Sequence, residues 1–217
     1  MSVAGDRPRV LITGAGDGAG FACACAFAER GAEVILCDID GVALTRANDL
    51  VDGFARYCDV VSEASIAVFA AEIADTFPSL DVIVNAAGRG YVRSLGMMRV
   101  SQALLPLVRR ARGRRFILNV APAGGFALKE SMFPYAGSRE GFQRLSDALS
   151  DQVVGTGICV LAVTPRRRLN AHPPASDQPY FLERADDSEL AERIVRTVAA
   201  SRPGWRHHRV QPFNRRA

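Results

Sequence analysis

Val10-Leu-Ile-Thr-Gly-Ala-Gly-Asp-Gly-Ala-Gly20 begins as a short apolar run and passes directly into a glycine-spaced loop. Val10 to Thr13 reads as a buried strand, and the Ala-rich stretch from Gly18 to Arg30 reads as a helix. Gly14, Gly18 and Gly20 stand where the backbone has to turn sharply between the two, with Gly16 a further permissive position. A loop of this kind brings backbone amides to the N-terminus of the helix, where the partial positive charge favours an anion such as a pyrophosphate. Taken alone, the glycines fit any tight strand-to-helix turn, so the surrounding chain has to decide.

Outward from this stretch the pattern repeats. Strands are expected at Glu33 to Cys37, Ala55 to Cys58, Val82 to Asn85, Arg115 to Val120 and Ile158 to Val163. Helices are expected near Val42 to Leu50, Ser62 to Phe77, Leu95 to Ala111, Met132 to Val154 and Ser188 to Ala200. Such alternation implies an α/β fold of the Rossmann type, a doubly wound parallel sheet with helices on both faces and right-handed crossovers. A chain of 217 residues with 48% hydrophobic content can fill one core, so residues 1–217 are expected to form a single domain. The stretch from Pro165 to Pro179 is the least regular and is expected to loop over the carboxyl edge of the sheet.

Asp38 ends the second strand, where a carboxylate can accept hydrogen bonds from both hydroxyls of an adenosine ribose. That selects NAD. A 2′-phosphate would meet the charges of Asp38 and Asp17, and the glycine loop holds no Arg or Lys to receive it. Asp38-Ile-Asp-Gly41 starts like a calcium loop but lacks the later oxygen ligands and the closing Glu. His172, His207 and His208 have no ligand-like spacing with Cys or acidic residues, and no metal site is expected. The net charge of +4 comes from Arg clusters at Arg109 to Arg115, Arg166 to Arg168 and Arg206 to Arg216, with Lys129 the one lysine. This bias fits a GC-rich genome as well as a binding surface, and no nucleic-acid partner is expected. Cys23, Cys25, Cys37, Cys58 and Cys159 form no CxxC and imply reduced, largely buried thiols. With no apolar N-terminal region and no membrane-length apolar run, a cytoplasmic protein without membrane partners is expected.

These motifs together resemble the classical short-chain dehydrogenases/reductases, over nearly the whole chain. Thr13 to Gly20 is similar to the family's TGxxxGxG, and Cys58-Asp59-Val60 to the stretch whose Asp contacts adenine. Val84-Asn85-Ala86-Ala87-Gly88 looks like the NNAG motif, and Tyr135 with Arg139 falls in the frame of YxxxK. The resemblance implies cofactor contacts from Gly14, Gly16, Asp17, Gly18, Gly20, Asp38, Asp59, Asn85, Ala86, Ala87 and Gly88. It also implies an alcohol or carbonyl of a small molecule as substrate.

The family's chemistry uses a Tyr as acid/base, a Lys that lowers its pKa, a Ser that orients the carbonyl and an Asn that supports a proton-relay water. Tyr135 matches the first role, whereas Arg139 replaces the Lys, Pro122 the Ser and Arg93 the Asn. A planar guanidinium keeps the charge near Tyr135 but not an ammonium's geometry. The segment after Gly88 is also shorter than the family's by about a helix. Catalytic candidates are therefore Tyr135 and Arg139, with Tyr135 equally readable as a packed aromatic. Lys129 and Ser131 can supply replacement groups if their loop folds inward, and Arg166 to Arg168 can meet an anion or remain a solvated loop.

Three functions follow from different classes. The first is an NAD(H)-dependent oxidoreductase with an altered site. The second is a non-catalytic family member acting as partner subunit or regulator. The third is an enzyme of non-redox chemistry such as a lyase, cyclase or isomerase. The family's habit of pairing through its fourth and fifth helices implies a homo-oligomer, or a hetero-oligomer with an intact homologue. Leu104, Leu105, Leu107, Phe142, Leu145 and Leu149 would then form the contact, and burial in the chain's own core is equally compatible with their spacing.

Overall fold

The protein was analysed as a computed structural model that describes residues 7–88, 90–121, 139–163 and 187–200. Strands and helices alternate as β1 (Arg9–Thr13), α1 (Gly18–Ala28), β2 (Glu33–Asp38), α2 (Gly41–Val51), β3 (Phe54–Tyr57) and α3 (Glu63–Thr76). They continue as β4 (Val82–Asn85), α4 (Gly90–Arg110), β5 (Arg115–Val120), α5 (Arg139–Gln152), β6 (Ile158–Val163) and α6 (Asp187–Ala200). The six strands form one sheet in the order β3-β2-β1-β4-β5-β6, and every pairing is parallel. This is the Rossmann-type arrangement the alternation implied.

Both faces of the sheet are covered, which explains why its strands are continuous apolar runs rather than alternating ones. Val10, Ile12, Val34, Leu36, Val82 and Val84 face α1, α2 and α6, while Leu11, Ile35, Ile83 and Ile117 face α3, α4 and α5. Leu104, Leu105, Leu107, Phe142 and Leu149 are buried within the chain's own core. Of the two uses their spacing allowed, the side chains take the internal one, and only Leu145 is half-buried.

α4 starts at Gly90, several residues before the expected Leu95. Gly90 and Gly96 are poor helix formers, and they hide a helix end that packing supports. Gly96 is what lets α4 come close: a Cβ there would lie 2.6 Å from Val60 Cγ2. Cys58, expected at the end of the third strand, falls just outside β3. The expected helix from Met132 is described from Arg139 onward, and its earlier turns lie outside the described residues.

Candidate functional site

The strand order places a crevice at the carboxyl ends of β1 and β4. α1 leaves β1 over one face of the sheet and α4 leaves β4 over the other, so the two connections part at this point, where open α/β sheets bind ligands. The two loops touch at its floor. Gly14 has φ +66°, and a Cβ on it would lie 2.6 Å from Ala87 Cα. Gly20 is tighter still, since its Cβ would stand 2.0 Å from Gly14 O. Glycine is required at both, by backbone approach rather than by propensity.

Asp38 reaches into this turn from the tip of β2. One carboxylate oxygen, Oδ2, accepts from Gly16 N at 2.9 Å, and the other accepts from Asp40 N at 3.0 Å. Asp17 is the N-cap of α1, with its Oδ1 accepting from Gly18 N at 2.7 Å. A second carboxylate stands close by: a Cβ on Gly18 would lie 3.6 Å from Asp187 Oδ2, at the start of α6. Burial, and secondarily the charge of Asp187, push the Cys23 thiol on α1 up to about 12. Asp59 closes a turn of its own, its Oδ1 accepting from Val61 N at 3.0 Å while its amide donates to Ser65 Oγ at 2.9 Å.

Thr13, the opening residue of the TGxxxGxG-like stretch, fixes the opposite wall. Its hydroxyl oxygen accepts from both Ala86 N and Ala87 N at 3.1 Å, which sets the path of the chain toward Gly88, where φ is +79°. Asn85, at the end of β4, belongs to a buried polar line. Its Nδ2 donates to Ser101 Oγ and to Asn119 Oδ1, each at 2.9 Å, and Asn119 Nδ2 donates in turn to Ser146 Oγ at 3.1 Å. The line joins β4, β5, α4 and α5 beneath the site. Single polar residues on separate strands and helices carry no spacing signature, so Asn119, Ser101 and Ser146 escaped sequence reasoning.

At the carboxyl edge between β4 and β5 stands Arg93. Its Nε donates to Gly88 O and its Nη1 to Val120 O, both at 2.9 Å. The guanidinium thus spans the two strand ends where the resemblance placed an Asn. Arg139 opens α5. Tyr135, Pro122, Lys129, Ser131 and the segment Arg166 to Arg168 lie outside the described residues. The structure therefore brings together Gly14, Gly16, Asp17, Gly18, Gly20, Asp38, Ala86, Ala87 and Gly88 around the crevice, with Asp59 in the turn that follows β3.

Comparison with known proteins agrees with this geometry. The short chain dehydrogenase family model matches residues 8–167. A monensin polyketide synthase putative ketoacyl reductase of Streptomyces virginiae is 32% identical over 180 residues, covering 71% of this chain and 68% of that protein. An L-fucose dehydrogenase of Bos taurus is 28% identical over 177 residues, which cover 72% of this chain and 64% of the bovine protein. Among solved structures, the Pseudomonas aeruginosa RhlG/NADP active-site complex aligns with TM-score 0.64 at 30% identity, covering 76% of this chain and 73% of that one. A hydroxysteroid dehydrogenase from Escherichia coli shares the fold with TM-score 0.73 at 23% identity, covering 90% and 91%. With the glycine turn, the Asp at the tip of β2 and the six-stranded parallel sheet in place, the chain belongs to the short-chain dehydrogenase family of oxidoreductases, whose cofactor is a nicotinamide dinucleotide.

Proposed function

We propose that this chain, over residues 1–217, binds NAD(H) and acts on an alcohol or carbonyl of a small molecule with a reduced catalytic set. The observation that carries the reading is the Asp38 carboxylate, held at the tip of β2 against the Gly16 amide. The residues fit a dinucleotide. A Cβ on Gly16 would lie 3.1 Å from Asp38 Oδ2 and so would fill the space beside that carboxylate. Asp38 would accept the ribose hydroxyls, the first turn of α1 would meet the pyrophosphate, Asp59 would contact adenine, and Ala86 to Gly88 would line the floor. When bound, the nicotinamide supplies hydride transfer. Tyr135 would hold or release the proton at the substrate oxygen, and the charge of Arg139 would lower its pKa. Without a Ser hydroxyl or a Lys, turnover is expected to fall by about 10²- to 10⁴-fold from an intact site.

The RhlG structure carries NADP. In this chain the charge of Asp38 opposes a 2′-phosphate, which supports NAD. A second reading, a non-catalytic family member paired with a second copy or an intact homologue, is favoured by one observation. Asp17 and Asp187 place two carboxylates at the mouth of α1, where a pyrophosphate would bring further negative charge.

Calorimetric titration with NAD⁺, NADH and NADPH in parallel tests both. Micromolar NADH binding with little NADPH binding is expected. Asp38→Asn should weaken NADH by roughly 10- to 100-fold, the effect of losing a hydrogen bond to a charged group. Absence of binding by all three would retire the oxidoreductase reading and leave the partner-subunit one.

A further inference from the structure

Two thiols lie directly behind the adenosine half of the crevice, and the reading above uses neither. Cys37 is on β2, in register with Arg56 of β3, and Cys58 follows β3 two residues beyond Arg56, so both belong to the same side of the sheet. Both are buried in the apolar cluster under α3, with Leu11, Ile35, Val60, Ile66 and Phe69. The Cys58 amide donates to Asp38 O at 3.1 Å, which places Cys58 beside the Cys37 end of β2. Each is bonded through the chain to a carboxylate of the crevice, Cys37 to Asp38 and Cys58 to Asp59.

We propose that Cys37 and Cys58 form a redox-active dithiol that closes to a disulfide and, in closing, weakens dinucleotide binding at Asp38 and Asp59. The coupling to binding rests on the NAD(H) reading, whereas the dithiol itself does not.

The pair is chemically unequal. The hydrogen bond with Cys58, then burial, push the Cys37 thiol well above the ordinary value. That same hydrogen bond, helped by one from Ser65, holds Cys58 below it. Cys58 also stands just beyond the edge strand β3, whereas Cys37 lies on β2 between β1 and β3, so Cys58 is the thiol an incoming oxidant meets first and Cys37 its resolving partner. Cys25, by contrast, is raised by burial and by the charge of Glu29.

β3 is a four-residue strand at the edge of the sheet, paired among the described residues with β2 alone, and Tyr57 at its end is exposed. Short edge strands open locally at low cost, which admits a small oxidant such as hydrogen peroxide. The Cys58 thiolate attacks one peroxide oxygen, the O–O bond breaks, and after protonation water leaves a sulfenic acid on Cys58. The Cys37 sulfur then attacks the Cys58 sulfur, the S–O bond breaks, and the hydroxyl departs as a second water with the Cys37 proton. Two thiols are oxidised by two electrons and one peroxide is reduced to two waters.

Bond formation requires the sulfurs to close to about 2.0 Å. Cys58 cannot move toward Cys37 without Asp59, whose amide and carboxylate are both engaged in its turn, nor Cys37 without Asp38, which holds the Gly16 amide. By linkage, a dinucleotide that prefers the reduced form protects the dithiol from oxidation by the same factor.

The experiment oxidises the full chain with hydrogen peroxide, alkylates it under denaturing conditions and maps tryptic peptides by mass. The expected product links the peptide Gly31 to Arg46 with the peptide Tyr57 to Arg89, two hydrogens lighter than their sum. Cys37→Ser and Cys58→Ser should each abolish it, with Cys37→Ala and circular dichroism guarding against loss of fold. Recovery of Cys37 and Cys58 as alkylated thiols, while Cys25 or Cys159 is oxidised, would overturn the proposal. Titration of the oxidised protein should show NADH affinity reduced by about fivefold or more, restored by dithiothreitol and unaffected by peroxide in Cys58→Ser. A disulfide that forms with unchanged affinity would overturn the coupling. Failure of the reduced protein to bind NADH would count against the cofactor reading, and the peptide map would still decide the dithiol.

Discussion

At the scale of single residues, the same amino acid has opposite value at two places in this chain. A Cβ on Gly20 would stand 2.0 Å from a backbone oxygen, whereas a Cβ on Gly41, at the start of α2, would meet nothing within 4 Å. Gly20→Ala is therefore expected to destabilise by about 1–3 kcal/mol through forced backbone displacement. Gly41→Ala should stabilise by about 0.4–1 kcal/mol by restricting the unfolded chain. Denaturant melts of the two variants read both signs, and equal effects would refute the packing argument. The spacing of Gly14, Gly18 and Gly20 was legible in the sequence because a turn demands it at fixed offsets. Asp38 was legible because it ends an apolar strand. Thr13 was legible as the first letter of the glycine motif, but not its hold on two amides of the facing loop, which depends on β4 lying beside β1. Arg93 was visible as a substitution, but its bridge between Gly88 O and Val120 O exists only once β4 and β5 lie side by side.

At the scale of elements, the polar line from Asn85 through Asn119 to Ser146 ties two strands to the helix that Arg139 opens. Buried polar groups are costly when a partner is removed, because the survivor keeps its desolvation penalty. Asn119→Ala should cost about 1–3 kcal/mol for each group left unpaired, read as a lower midpoint in chemical denaturation. A shift no larger than that of an exposed substitution such as Gln102→Ala would show that the line carries no stability. Most elements were legible from apolar periodicity, since covered strands and helices both need it. The start of α4 was not, because Gly90 and Gly96 carry weak propensity while packing against Val60 holds the helix together. Where a helix is fixed by what it touches rather than by its own residues, sequence periodicity locates its middle better than its ends.

At the scale of the whole molecule, α6 returns from the carboxyl end of the sheet to lie on α1, near the chain's beginning. Leu190, Ala191, Ile194, Val195 and Val198 complete the core on that face, and Arg30 is paired with Glu192 at 2.7 Å. Ile194→Ala should remove about 2–5 kcal/mol, with the denaturation slope unchanged if the sheet still unfolds as one unit. A reduced slope with an early loss of α6 would mean that the helix docks independently. The alternation of strands and helices made the parallel sheet legible, but not which helices share a face, since that depends on the order β3-β2-β1-β4-β5-β6. That order also has a consequence for synthesis. β1 meets β2 almost as soon as both exist, but the group that bonds Arg9 across to the β4 side, Asp81, lies 72 residues downstream. At ribosomal speeds of about 5–20 residues per second, Val10, Leu11 and Ile12 wait roughly 4–14 s with one strand edge unpaired. The crevice between α1 and α4 is thus a late seam in the nascent chain, and a ribosome stalled before Asp81 would leave the centre of the sheet open to mispairing.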